Sequence, residues 1–124
     1  MIGFHPRREA VWETVDHQAV SPTPMYYNED DLDISLVYPH DVRGTYIFDM
    51  RSNVYQCRQT LVVAQRQLLR EVSKLGCNIL LHEGWTITTL RKGKALRIEV
   101  RYQGRPARAD NPPKTPKPPF LSTL

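Results

Sequence analysis

The stretch from Asn53 to Gly76 limits the folds open to this chain more than any other. Val54, Cys57, Leu61, Ala64, Leu68, Val72 and Leu75 recur at steps of three and four. That spacing lines one side of an α-helix with apolar side chains. Ser52 or Asn53 is suited to cap the start, and Gly76 to end it in a left-handed conformation. A second apolar row, Tyr55, Val62 and Leu69, flanks the first. Together the rows are wider than the ~100° arc that one core contact needs. The helix is therefore expected to touch its own sheet and, in addition, another chain segment or another subunit. Tyr55, Val62 and Leu69 are the candidate interface. The remaining face carries Arg66, Arg70 and Lys74 at i, i+4 and i+8, read first as a solvated face and second as an anion-binding stripe.

Around the helix lie strand patterns. Ala10 to Asp16 alternates in part, Ile34 to Tyr38 is β-branched and aromatic and stops at Pro39, and Gly44 to Met50 alternates well. Ser21-Pro-Thr-Pro24 and the acidic run after it read as loop. Asn78 to Leu90 is a long strand interrupted at His82-Glu83-Gly84, where the glycine marks an expected bulge. Gly93 suits a turn. Ala95 to Gln103 is the cleanest alternation: Leu96, Ile98, Val100 and Tyr102 to one side, Arg97, Glu99, Arg101 and Gln103 to the other. Such a strand belongs to a sheet with one wet face.

A length of 124 residues is that of one small domain. The net charge of +4 is uneven: five acids and no Lys or Arg lie between Asn28 and Asp41, whereas Lys and Arg far outnumber acids from Arg43 on. This implies a polyanion partner, or an acidic segment folded over its own basic face. No stretch approaches the ~20 apolar residues of a membrane span, and no secretory leader is visible, so an intracellular location is expected. Cys57 and Cys77 would stand roughly 27 Å apart along the helix, too far for a disulfide, and both read as free thiols.

After Gly104 come six of the ten prolines. Pro113, Pro116 and Pro119 repeat every third residue, the period of polyproline II. Residues 105–124 read as an extended tail or spacer, and truncation at Arg108 is expected to shift the melting temperature by only a few degrees. A protein partner at this tail is a second reading. Residues 1–104 form the domain, with 1–8 loosely ordered.

The chemistry-bearing candidates are few. His82 and Glu83 invite an acid–base or metal role, but strand neighbours point to opposite faces unless the bulge turns one. No metal ligand set, cofactor motif, phosphate loop or nucleophile elbow is present. Arg91, Lys92, Lys94, Arg97 and Arg101 gather on one hairpin and, with the helix row, form the candidate anion-binding set, without any recognised nucleic-acid motif.

The strand Gly44–Met50, the helix, the junction Leu75-Gly76-Cys77-Asn78 running into Ile79-Leu80-Leu81, and the strand ending at Gly104 resemble the small β-α-β-β heavy-metal-binding domain family. That family has Leu-Gly-Ala-Asn where this chain has Leu-Gly-Cys-Asn. The resemblance covers about half the chain. It implies a two-layer ring oligomer, and it carries over no metal ligand residue by residue.

These readings converge on an α+β chain: a mainly antiparallel sheet with one long helix packed on one face, in the order β-β-β-α-β-β. The first functional expectation is a non-catalytic binding or assembly module that self-associates as a homo-oligomer through its helix. The second is an enzyme or small-ligand binder with a pocket between helix and sheet. The third is a nucleic-acid binder using the basic faces.

Overall fold

The computed structural model describes residues 11–50 and 56–124. Among them run β1 (Glu13–Pro24), β2 (Ile34–Val37), β3 (Val42–Met50), α1 (Gln56–Ser73), β4 (Ile79–Lys92) and β5 (Ala95–Ala109). The fold is α+β: an antiparallel sheet ordered β1-β4-β5-β2, with β3 also on β5 and one helix across one face. The helix caps Ser52 or Asn53 and the interface candidate Tyr55 lie outside the described residues.

β2 and β3 are successive parts of one edge. β2 pairs with β5 at residues 107–109, and β3 pairs with it at residues 96–104. Between them Tyr38 N–H donates to the Pro106 carbonyl (2.8 Å), and Asp41 accepts from Arg105 Nε (2.7 Å). Pro106 sits inside β5, beyond the expected strand end at Gln103. A proline has no N–H for a ladder. Here the ladder is already broken on both flanks, by the β2–β3 gap and by the β4 irregularity between Leu80 and Glu83. That irregularity is the expected bulge.

β1 also departs from the sequence pattern. It runs to Pro24 through Ser21-Pro-Thr-Pro24, which sequence had read as a loop. Among the described residues β1 pairs only with β4, so its prolines cost no ladder bond on its other side there. Its register shifts between Val20 and Thr23, and the bulged backbone folds over Gly84. A Cβ on Gly84 would stand 2.8 Å from Pro22 N and 2.9 Å from the Val20 carbonyl, so only glycine fits there without backbone movement.

The core lies between α1 and the sheet. Leu61, Ala64, Leu68 and Val72 are fully buried against Trp85, Ile87, Ile98, Val100 and Tyr102, with Tyr46, Phe48 and Met50 at the β3 edge. The helix ends as expected at Gly76 (φ 80): Gly76 N–H bonds to the Ser73 carbonyl and Cys77 N–H to the Val72 carbonyl. This is a Schellman cap. It takes Leu75 off the buried stripe and leaves it 42% exposed. A second cluster, Ile79, Leu81, Ala107 and Ala109, is covered by Tyr26, Leu32 and Ile34 from the segment that links the two sheet edges. Both cysteines are free, Cys77 buried and Cys57 half-buried, and burial raises both thiol pKa values. No helix among the described residues is long and apolar enough to cross a membrane.

The helix phase has a direct check. Leu68 is 0% exposed and Val63 is 40% exposed. Leu68→Ala is expected to cost about 2–5 kcal/mol through lost burial and a cavity, and Val63→Ala less than about 1 kcal/mol. Equal costs in urea melts would place the wrong face of α1 on the sheet.

Candidate functional site

A buried polar cluster sits where α1 crosses β4 and β5. The β4 bulge turns Glu83 toward the helix, opposite Gly104, while His82 pairs across to Pro24 and stays half-buried. The two residues are not brought together as a dyad. The partners of Glu83 come from elsewhere: its Oε1 accepts from Gln65 Nε2 on α1 (2.8 Å) and from the Tyr102 hydroxyl on β5. Glu83 is 1% exposed and Tyr102 0%. Burial pushes the Glu83 carboxyl up to about 7, against the two hydrogen bonds, which favour its ionised form. The Tyr102 phenol is likewise raised, first by burial and then by the Glu83 charge. A carboxyl that titrates near neutrality beside a phenol is able to hold or pass a proton. Both groups, however, are shut away from solvent.

What shuts the groove is the chain's own tail. Residues 112–118 have no regular structure, Pro118 and Pro119 are buried, a short 3-10 helix spans Leu121–Thr123, and Leu121 and Leu124 pack against the main core. Three side chains of the body donate to tail carbonyls. Gln65 Nε2 reaches Pro116 (2.8 Å), Trp85 Nε1 reaches Pro119 (2.8 Å), and Arg58 Nε reaches Leu124 (2.8 Å). The Gln65 amide thus bridges the buried carboxyl and the tail backbone. Prolines have no N–H, so side-chain donors aimed at their carbonyls are the available polar contact. Phe120 takes φ 58, a left-handed conformation that costs a β-carbon residue roughly 1 kcal/mol. Its neighbours on both sides are anchored by these contacts. The tail is therefore not a free spacer, the expectation that sequence had favoured.

Within the second apolar row of α1, Leu69 packs against the main core. Gln65 and Arg58, which lie outside that row, make the polar contacts to the tail. Val62 is half-buried.

The basic candidates fall on different faces. Arg66, Arg70 and Lys74 are exposed on the outer side of α1. Arg97 and Arg101 point from the opposite face of the sheet, where Arg97 pairs with Asp49 (2.8 Å) and stacks on Trp12 (4.2 Å), and Arg101 bonds Glu99 (3.0 Å). Lys92 also lies over Trp12, and Arg91 and Lys94 are exposed near the hairpin tip. Among the described residues no three His, Cys, Asp or Glu side chains are grouped to hold a metal ion.

No protein-family model, no curated protein and no solved structure matches the chain.

Proposed function

We propose that this chain is a non-catalytic binding module whose groove between α1 and β4 takes an extended proline-rich segment, and that its own tail is one occupant. The observation that carries this reading is the pair of donors from Gln65 and Trp85, both directed at proline carbonyls of the tail, with Arg58 holding the Leu124 carbonyl beyond the short 3-10 helix Leu121–Thr123. Recognition by an aromatic-lined groove suits such a segment, because polyproline II is pre-ordered and loses little entropy on binding. Glu83 and Tyr102 serve this seat by fixing the Gln65 amide. In this reading a homo-oligomer forms when the tail of one copy fills the seat of another, in place of a contact through Val62 and Leu69.

The test starts from the intact chain. A protease site is built into the exposed run 111–115 and cut after folding. The tail peptide is expected to stay with the body at tens of micromolar, to leave on dilution, and to rebind with a Kd of about 1–100 μM. Trp85→Phe, which removes the indole donor, is expected to weaken rebinding about fivefold to tenfold. A folded body that ignores the peptide at about 1 mM, or a body that unfolds once the peptide leaves, contradicts a binding module.

A further inference from the structure

The sheet face away from α1 carries a second groove, of about 480 Å³, whose sides come from β1, β3, β4 and β5. The register explains its shape. One row across the sheet reads Ala19, Thr86, Arg101, Thr45, and the next reads Gly84, Gln103, Arg43. Small side chains on β1 and β4 make the floor. Arg101, Gln103 and Arg43 make one wall, and the β1 bulge at Ser21-Pro22, raised over Gly84, makes the other.

The charges on this face are not balanced evenly. Arg97 has Asp49 directly opposite and pairs with it. Arg43 has Gln103 opposite, Arg101 has Thr45 opposite, and no carboxylate lines the groove. Arg101 spends its Nε on Glu99, and Arg43 is in no ion pair among the described residues. Arg43 and Arg101 are diagonal neighbours on adjacent strands, a relation of about 7–8 Å that long side chains span. Side chains rooted at that spacing can bring both guanidinium groups to one anion, which would offset their mutual repulsion. Their planar forks match the oxygens of a phosphate in bidentate fashion. Hydroxyls of Ser21, Thr45 and Thr86 and the Gln103 amide surround the same space. The volume exceeds what a bare phosphate fills, and Ala19, Val20 and Pro22 give the β1 side an apolar lining.

We infer that this outer groove binds a small organic phosphate ester, with the phosphoryl group between Arg43 and Arg101 and the organic part against the β1 bulge. The site is separate from the tail seat and stands or falls independently of it.

The experiment titrates phenyl phosphate, inorganic phosphate and phenol into the full chain at low salt by calorimetry. Phenyl phosphate is expected to bind with a Kd of about 0.1–1 mM, phosphate more weakly, and phenol not detectably. Arg43→Ala with Arg101→Ala is expected to weaken phenyl phosphate at least about tenfold, because it removes charge-assisted bonds. The Lys pair R43K/R101K keeps the charge but loses the fork and falls between. Arg66→Ala with Arg70→Ala, on the other side of the molecule, leaves the affinity unchanged. No binding of phenyl phosphate at about 5 mM, or binding that survives R43A/R101A, overturns the site. Equal affinity for phosphate and phenyl phosphate overturns the assignment of an ester.

Discussion

Removing the tail after Asp110 should destabilise the remaining domain by on the order of 4 kcal/mol, from lost apolar burial and the hydrogen bonds of three side chains. For a chain of this size that is a fall in melting temperature of about 15 °C. The loss arises because the groove floor contains Trp85, Glu83 and Tyr102, all buried beneath the tail, and because Leu121 and Leu124 leave the core. Thermal melts of the full and shortened chains decide this. A fall of only a few degrees would restore the spacer reading and remove the tail from the energetics.

Glu83→Gln is expected to flatten the pH dependence of stability between pH 4.5 and 7. The unfolded carboxyl titrates near 4.5 and the folded one near 7. The folded state therefore binds this proton more tightly, and the direction of the effect follows. Below about 4.5 both states are protonated, and burial carries no charge penalty. As pH rises toward 7 the unfolded state ionises first, and the native state loses roughly 3 kcal/mol relative to it. Above 7 the loss is complete and constant. The stability of the Gln variant relative to the natural chain should thus rise across that window and level off. Every other titratable group is common to both chains and drops out of the difference. A difference that stays level from pH 4 to 8 would mean that Glu83 is hydrated in the folded state. Because the tail helps to bury Glu83, its removal should cost more stability at pH 5 than at pH 8.

The helix and the strand frame were legible in the sequence because period alone specifies them. Leu61, Ala64, Leu68 and Val72 mark one face at helical spacing, Ile98, Val100 and Tyr102 one face at strand spacing, and Gly76 a stop. The bulge was legible from Gly84. What sequence missed depends on pairing between distant segments. Pro22 and Pro24 look like breakers, and only an edge position makes them harmless. Pro106 does too, and only the two ladder gaps beside it explain its place in β5. Gln65 reads as one more polar helix residue until Glu83 and Pro116 are brought to it. The tail did carry one local sign of docking: its prolines run straight into Phe120, Leu121 and Leu124, apolar residues that a solvated spacer has little use for. Arg43 carries no local signal, because its significance depends on standing diagonal to Arg101 on a neighbouring strand.

The contact between Trp85 and Pro119 is the most direct place to test the seated tail. In nuclear Overhauser spectra of the intact chain, the Trp85 indole N–H should show cross-peaks to protons of Pro119 and Phe120, given the 2.8 Å hydrogen bond to the Pro119 carbonyl. An indole with no cross-peak to residues 116–124, together with random-coil shifts throughout that segment, would contradict the account.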